Sequence, residues 1–170
     1  MNKKKLIILE GSDGSGKSTI AARLEKETGF KLEHHGPVSS YLEGKMQYFH
    51  EAYRINESTI KDRFYFGEAI FAPLYRGYDG SEYFESLEDL LMERFDVLLV
   101  LVTAPYEIII QRINERGEDF VEPEHFKICY DKAREVFNKS KLPKIIVDTH
   151  NDSLTNNVEK IRKLVFTNMY

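Results

Sequence analysis

Apolar runs of strand length alternate along the chain with amphipathic stretches of helix length. This alternation is typical of successive βαβ units, in which parallel strands pair side by side and helices cover both faces of the sheet. The clearest run, at residues 97–102, is continuously aliphatic, as expected of a strand that is buried on both faces. We therefore predict one three-layer α/β domain over residues 1–170, with a five-stranded parallel sheet between two layers of helices.

Local signals give bounds for each predicted element. The predicted strands cover residues 5–10, 30–35, 58–62, 97–102 and 144–147. The predicted helices cover residues 17–28, 39–53, 66–75, 84–95, 105–116, 122–139 and 153–166. Gly29 and Gly117 stand where a glycine commonly ends a helix. Pro105 suits the first helical position and Ser153 suits an N-cap, so both support the predicted helix starts.

The composition is that of an ordinary globular domain, with 42% hydrophobic and 31% charged residues. A formal net charge of -4 argues against binding to a nucleic acid polymer, which requires a basic face. The single cysteine, Cys129, cannot form an internal disulfide, and we expect it to be buried in helix packing. The apolar residues 6–9 are too few for a signal peptide, and the run at 97–102 is too short for a membrane span. We therefore expect a soluble cytoplasmic protein.

Residues 11–18, GSDGSGKS, match the pattern G-x-x-x-x-G-K-[ST] between the first predicted strand and the first predicted helix. Glycines allow such a loop to turn so that its backbone N–H groups and the positive end of the helix face phosphate oxygens. Lys17 would reach the β- and γ-phosphates of a nucleotide, and the Ser18 hydroxyl would bind Mg²⁺. The alternative is a glycine-rich turn with an exposed lysine, but the flanking strand and helix favour phosphate binding.

Three segments together resemble the thymidylate kinase family. EGSDGSGKST at residues 10–19 is similar to that family's P-loop, DRF at residues 62–64 to its Asp-Arg-aromatic motif, and QRINERGEDF at residues 111–120 to its arginine-bearing LID. DRFYFGEAIFAPLYRG and HHGPVSS look most like the short thymidylate kinase-like proteins of bacteriophages. The resemblance implies a P-loop kinase fold and ATP-dependent phosphorylation of a deoxynucleoside monophosphate, with dTMP as the expected acceptor. For a phage protein, the compartment would be the host cytoplasm.

The resemblance also implies roles for residues near the P-loop. Phosphoryl transfer brings two polyanions together, so cations are expected to dominate the site. Arg63 would bridge the acceptor phosphate and the transferred group, because a guanidinium can bind two oxygens at once. Asp13 would contact the sugar hydroxyl of the acceptor. Asp62 would help Ser18 to hold Mg²⁺.

The remaining roles concern the LID and the adenine. Arg112 and Arg116 lie four residues apart on one helix face and would belong to a LID of about residues 112–122. Adenine is expected near Thr149, with Arg112 packed on its face. The predicted sets are as follows: catalytic Lys17, Arg63, Arg112 and Arg116; ATP-binding Gly11, Asp13, Gly14, Ser15, Gly16, Lys17, Ser18, Thr19, Arg112 and Thr149; substrate-binding Asp13, Tyr41, Arg63, Phe64, Phe66, Glu68 and Arg76; metal-binding Ser18 and Asp62.

Each of these residues also has a structural interpretation. Arginines near a helix C-terminus are favoured by the helix dipole, and aspartate beside glycine is common in turns. Glu68 and Arg76 would then form a surface ion pair of little energetic value. His34 and His35 have no ligand partner at metal-binding spacing, so we expect strand-end residues near the acceptor site. Aromatic residues on helices usually belong to the core, and the candidates for base stacking are Tyr41, Phe49, Phe64, Tyr65, Phe66 and Phe71.

Other function classes remain open. A deoxynucleoside kinase would use a carboxylate at the end of the second strand to accept the proton of a hydroxyl, and Glu33 lies near that place. A P-loop module could bind nucleotide without turnover, although the intact Lys17 and Arg63 argue against it. A GTPase is disfavoured because no N-K-x-D sequence follows the fourth strand. The expected partners are small nucleotides, with no nucleic acid polymer and no membrane, and related kinases suggest a homodimer.

Overall fold

A computed structural model describes residues 3–36, 38–117 and 121–167. Its centre is a parallel five-stranded sheet, as predicted, and the strand order is β2-β3-β1-β4-β5. The strands are β1 (Lys4–Glu10), β2 (Lys31–His34), β3 (Thr59–Asp62), β4 (Phe95–Thr103) and β5 (Lys144–Asp148).

Seven α-helices cover the sheet in the described part of the chain. They are α1 (Lys17–Thr28), α2 (Tyr41–Arg54), α3 (Phe66–Tyr75), α4 (Phe84–Arg94), α5 (Tyr106–Arg116), α6 (Phe126–Lys139) and α7 (Leu154–Thr167). Within these residues, no helix is both long enough and apolar enough to cross a membrane.

Several predicted boundaries differ from the observed ones by one to four residues, and two of these differences have a clear cause. The helix predicted at 84–95 ends at Arg94, because Phe95 has an extended backbone (ψ 156°) and buries its ring as the first residue of β4. The helix predicted at 122–139 begins only at Phe126. Pro123 forces Glu122 into an extended conformation (ψ 140°), and a short 3-10 turn, Pro123–His125, precedes α6.

The core is divided by the sheet into two layers. Leu6 and Ile8 of β1 face the side covered by α2, α3, α4 and α6. Ile7 and Leu9 face the opposite side, where they pack with α1 and α7. Because both faces of β1 and β4 are covered, these strands consist of nearly continuous aliphatic residues.

The register of the sheet determines which loops meet. Leu9 of β1 is paired with Asp62 of β3, and Glu10 is paired with Leu101 of β4. The chain segments that follow these strands therefore leave from the same edge of the sheet. In open parallel sheets, ligands bind beyond this carboxyl edge.

The loop between α3 and α4 packs tightly on α3. A Cβ atom added to Gly80 would lie 2.4 Å from the backbone oxygen of Glu68, too close for any side chain. We expect Gly80→Ala to lower the free energy of unfolding by about 1–3 kcal/mol, because the backbone must shift to admit the methyl group. Urea denaturation monitored by circular dichroism measures this change.

Gly36→Ala is the matched control, because an added Cβ there meets nothing within 4 Å and Gly36 has no positive φ. The control is expected to change stability little. Equal unfolding midpoints for the Gly80 variant and the unsubstituted protein would contradict the close approach of this loop to α3.

Candidate active site

The glycine-rich loop lies between β1 and α1, where the sequence predicts it. Gly11 has φ 147°, and a Cβ there would lie 2.2 Å from the backbone oxygen of Val102, so only glycine fits against β4. Gly16 is the N-cap of α1 in the left-handed conformation. The loop therefore curves over the sheet edge, with the helix N-terminus at its end, an arrangement suited to binding anions.

Lys17 lies across the loop that it follows. Its Nζ donates hydrogen bonds to the carbonyl oxygens of Gly11 (2.8 Å) and Ser12 (3.2 Å), and the residue is buried. Burial lowers the pKa of Lys17 to about 8, and the neighbouring positive charge of Arg63 acts in the same direction. The ammonium group is thus held inside the loop in an environment that favours an anionic partner.

Ser18, Asp62 and His34 meet beside the loop. The Ser18 hydroxyl donates to Oδ2 of Asp62 (3.2 Å), and Nδ1 of His34 lies 3.0 Å from the same oxygen. The second carboxylate oxygen, Oδ1, is buried and has no hydrogen-bond partner among the described residues. A hydroxyl and an unpartnered carboxylate oxygen are the hard oxygen ligands that Mg²⁺ prefers, so these two predicted metal-binding residues fit the ion.

Arg63 follows β3 and lies next to the glycine-rich loop. Its backbone has φ 68°, and it is the single non-glycine residue with positive φ in the described ranges. Its amide donates to the carbonyl oxygen of Leu9 (3.0 Å), and its guanidinium is hydrogen-bonded to the Asp13 carboxylate. The structure therefore brings Arg63, Asp13 and Lys17 together, as the sequence predicts.

These residues line a cavity of about 300 Å³, which we call the P-loop pocket. It is lined by residues 12–19, His34, His35, Asp62, Arg63 and Arg116. Both histidines lie at the end of β2 in this pocket, where the sequence predicts them. Most of its lining is polar or charged, so the pocket suits a phosphorylated ligand.

Arg112 connects α5 to two loops. Its Nη1 donates to the carbonyl oxygen of Gly14 (3.1 Å) and to Oγ1 of Thr149 (2.8 Å), and its Nη2 donates to the carbonyl oxygen of Thr149 (3.1 Å). The Thr149 hydroxyl in turn donates to the carbonyl oxygen of Ser15 (2.7 Å). The predicted residues Arg112 and Thr149 therefore touch the P-loop directly. Of the predicted LID at about 112–122, residues 118–120 lie outside the described residues.

A second cleft adjoins the P-loop pocket between α5 and α7. We call it the α5–α7 cleft, and it shares Gly14, Gly16, Thr19 and Arg116 with the P-loop pocket. Arg112, Thr149 and Asn157 also line it. This is the place beyond β5 at which the sequence predicts the adenine.

A third cleft lies on the other side, between α3, α5 and α6. This α3–α6 cleft shares Ser12, Asp13 and Arg63 with the P-loop pocket. Otherwise it is mainly apolar, with a lining that includes Phe66, Gly67, Ile70, Phe71, Tyr106, Ile109, Ile113, Phe126 and Cys129. Phe66 and Phe71 are thus the two predicted stacking candidates in this cleft. Cys129 is buried in helix packing, as predicted.

Four predicted substrate-binding residues line none of these three clefts. Phe64 lies in the core, where its ring packs edge-on against Tyr48 and His35. Tyr41 packs edge-on against Tyr78 and Tyr83 instead of facing the P-loop. Their aromatic character is used for core packing, because α2 covers this side of the sheet.

Glu68 and Arg76 are the other two. Nη2 of Arg76 donates to Oε1 of Glu68 (2.7 Å), and its Nη1 donates to the carbonyl oxygen of Val38 (3.1 Å). The interpretation as a surface ion pair is wrong, because Glu68 is only 3% exposed. Burial raises the pKa of Glu68 despite the adjacent guanidinium, so the pair ties the loop after α3 to the core at a desolvation cost.

Sequence reasoning missed a buried ionic cluster at the edge of the sheet. Nζ of Lys61 lies 2.6 Å from Oε2 of Glu33 and 2.6 Å from Oε2 of Glu51. Oε1 of Glu51 lies 3.1 Å from Nδ1 of His35. Lys31 also pairs with Glu33 (2.8 Å). The signal in the sequence was Lys61, an isolated lysine within the predicted third strand, which would need acidic partners if it were buried. Its consequence is that Glu33, the carboxylate considered for a nucleoside kinase, is engaged by two lysines.

Glu10 was also missed. It is the last residue of β1, it is 4% exposed, and its Oε1 accepts a hydrogen bond from the Phe64 amide (2.8 Å). A charged residue directly after the four aliphatic residues 6–9 was the signal in the sequence.

No known family model matches the sequence. A curated relative is the SPbeta prophage-derived uncharacterized protein YorR of Bacillus subtilis (strain 168), which is 26% identical over 148 residues, or 85% of this chain and 88% of YorR. The crystal structure of YorR in complex with phosphorylated GDP superposes with a TM-score of 0.80 at 24% identity, over 94% of this chain and 95% of that one.

Two further solved structures are similar at lower identity. Deoxyadenosine kinase from M. mycoides with bound dCTP gives a TM-score of 0.65 at 18% identity, over 95% of this chain and 99% of that one. Shikimate kinase from Acinetobacter baumannii in complex with shikimate gives 0.58 at 13% identity, over 98% and 95%. Together with the strand order and the P-loop, these similarities show that the chain has the α/β fold of P-loop kinases.

The left-handed backbone of Arg63 generates a stability prediction. Arginine and alanine are both strained at φ 68°, whereas glycine is not. We expect the free energy of unfolding of Arg63→Gly to exceed that of Arg63→Ala by about 0.5–1 kcal/mol. This difference already allows for the larger conformational entropy of glycine in the unfolded chain, which acts in the opposite direction. Both variants lose the pairing with Asp13, so their difference isolates the backbone. Urea denaturation measures it, and a more stable alanine variant would contradict the left-handed conformation.

Proposed function

We propose that this protein transfers a phosphoryl group from ATP to a deoxynucleoside monophosphate, with dTMP as the first acceptor to test. The proposal is carried by one observation: the cationic P-loop pocket shares residues with a separate cleft on each side. A donor base in the α5–α7 cleft and an acceptor nucleoside in the α3–α6 cleft would direct both phosphate groups into the same pocket. This is the arrangement that in-line transfer requires. The α3–α6 cleft has a volume of only about 40 Å³ in this structure, so it must widen to admit a nucleoside.

The protein's own groups then position and neutralise the phosphates. The loop amides and Lys17 bind the β- and γ-phosphates of the donor. Arg63 lies between the loop and the α3–α6 cleft, so its guanidinium can bind the acceptor phosphate and the transferred group together. Arg112 packs on the donor base, and Arg116 adds positive charge at the rim of the pocket.

Ser18 and Asp62 are the residues that would hold Mg²⁺. The ion would supply positive charge to the donor phosphates. Two protein ligands are enough, because Mg²⁺ usually keeps several waters and binds substrate phosphates as well.

A monophosphate acceptor agrees better with the surroundings of Glu33 than a hydroxyl acceptor does. A phosphate is already ionised and needs no base, whereas a hydroxyl benefits from one. Glu33 is engaged by Lys31 and Lys61, and the pKa of its carboxyl is lowered. These lysines make it a poor proton acceptor for a hydroxyl.

A deoxynucleoside kinase is the second candidate. It is supported by the similarity to the fold of the M. mycoides deoxyadenosine kinase. His34 also supports it, because this residue lies at the end of β2 in the P-loop pocket, where a general base for a hydroxyl acceptor would be needed. Because YorR is described with phosphorylated GDP, guanine nucleotides belong in the same test.

The decisive experiment is a coupled ADP-release assay with ATP and Mg²⁺ over a panel of acceptors. The panel contains dTMP, dUMP, dGMP, dAMP and dCMP, with thymidine, deoxyadenosine and deoxyguanosine beside them. We expect turnover with monophosphates and none with nucleosides. Turnover confined to nucleosides would replace the proposal with the second candidate, and no turnover with any acceptor would refute phosphotransfer.

Two substitutions test the assigned cations. Arg63→Ala should lower kcat about 10²-fold or more while nucleotide binding persists, because its positive charge acts on the transferred group. Lys17→Ala should weaken both nucleotide binding and turnover, since Lys17 would contact the donor phosphates both in the bound ground state and in the transition state. Isothermal titration calorimetry and steady-state kinetics separate these outcomes. Near-normal kcat in the Arg63 variant would remove its role as a phosphate clamp.

A further inference from the structure

Glu10 occupies a position between the P-loop and the start of α3. Its Oε1 accepts a hydrogen bond from the Phe64 amide (2.8 Å), and the Phe66 amide also favours its negative charge. The residue immediately precedes Gly11 and lines the α3–α6 cleft next to Asp13 and Arg63. The buried Glu10 carboxylate therefore contacts the backbone of Phe64, the residue that directly follows Arg63.

Both amides belong to the residues that lead into α3. Phe66 is the first residue of α3, and Tyr65, at the N-cap, provides no side-chain cap. The first amides of a helix need an acceptor from outside the helix, and a carboxylate also interacts favourably with the helix dipole. Glu10, at the end of β1, thus places a carboxylate beside the N-terminus of α3.

The same contacts surround the left-handed backbone of Arg63. The Arg63 amide donates to the carbonyl oxygen of Leu9, and the next amide, that of Phe64, donates to the side chain of Glu10. A non-glycine residue stays at φ 68° only when neighbouring contacts determine its conformation. Two consecutive residues of β1 supply those contacts.

We propose that the ionised Glu10 carboxylate is a positioning residue that fixes the backbone of Arg63 and thereby aims its guanidinium into the P-loop pocket. This inference rests on the proposed phosphotransfer by the same site. Glu10 acts through Arg63 and touches neither phosphate.

The charged and titratable groups around Glu10 come from several elements. Arg63 and Lys17 attract its negative charge, and Asp13 pairs with Arg63. Tyr48 of α2 and Tyr65 before α3 are also electrostatically coupled to Glu10, and their pKa values are raised mainly by burial.

Burial raises the pKa of Glu10 from 4.5 to about 7, although the Phe64 and Phe66 amides and the positive charges of Arg63 and Lys17 act to lower it. The native state therefore holds more protons than the unfolded state between these values. The free energy of unfolding consequently falls as pH rises from 4.5 to 7, while the ionised form that holds Arg63 becomes populated. The positioning charge and the stability of the fold thus change in opposite directions over this range.

Glu10→Gln tests this role, because it keeps the shape and removes the charge. We expect kcat to fall about 10- to 100-fold with the KM for ATP nearly unchanged, since a misplaced Arg63 costs transition-state binding. In the unsubstituted protein, kcat should rise with pH through about 7, and that rise should be absent in Glu10→Gln. Glu93→Gln, an exposed carboxylate on α4, is the control and should change neither quantity.

A spectroscopic readout separates this inference from the proposed function. In an ¹H–¹⁵N NMR titration of the full chain, the Phe64 amide and the Arg63 Nε–H resonances should shift with one midpoint near pH 7. Both shifts should be absent in Glu10→Gln. If the protein phosphorylates no acceptor but the two resonances titrate together, the positioning role is supported and only the proposed function fails.

Three results would overturn the inference. These are an Arg63 resonance that is insensitive to the titration of Glu10, an unchanged kcat in Glu10→Gln, and the same pH dependence in both proteins. If Glu10→Gln does not fold, Glu10→Asp is used, which keeps the charge but shortens its reach. It should retain the pH dependence with a lowered kcat, and full activity there would also overturn the inference.

Discussion

The parallel pairing of β1 with β3 is the constraint on which the site depends. Leu9 is opposite Asp62, so the chain leaving β1 and the chain leaving β3 begin side by side. The contacts continue past the sheet, from the Arg63 amide to Leu9 and from the Phe64 amide to Glu10. A one-residue slip would exchange the faces of β3 and move Asp62 and Arg63 away from the P-loop. The meeting of a phosphate-binding loop with a second cationic loop is therefore a result of sheet register.

The cost of this arrangement is electrostatic. Desolvation raises the pKa of Glu10 and lowers that of Lys17, so in both residues burial disfavours the charged form. The oppositely charged partners offset part of this cost, but they do not restore ordinary pKa values. Functional sites commonly hold such groups because fixed charges in a dry environment act strongly on a ligand's charge. Burying these charges at the carboxyl edge of the sheet thus lowers the stability of the fold but creates a preorganised electrostatic field there.

The sequence predicted the sheet and the P-loop well because both are encoded locally. A short, continuously aliphatic run such as residues 97–102 is typical of a buried strand. The P-loop pattern requires a strand before it and a helix after it. The aromatic residues were harder, because the identity of Phe64 or Tyr41 does not say which neighbour covers it. That is decided by the packing of α2 and of the loop after α3. Glu10 was missed for the same reason, since its hydrogen-bond partner is a backbone amide 54 positions away.

Unpartnered polar atoms follow the same edge of the sheet. Buried polar groups in proteins nearly always have hydrogen-bond partners, so exceptions call for an explanation. Within the described residues, Ser15 Oγ, His35 Nε2 and Asp62 Oδ1 are exceptions that belong to the lining of the P-loop pocket. Asn157 Oδ1 belongs to the lining of the α5–α7 cleft, whereas Tyr83 and Arg162 lie elsewhere. Hydrogen bonds within the protein to these atoms would make the fold more stable. These unpartnered atoms therefore lie at the same edge of the sheet as the buried charges of Glu10 and Lys17.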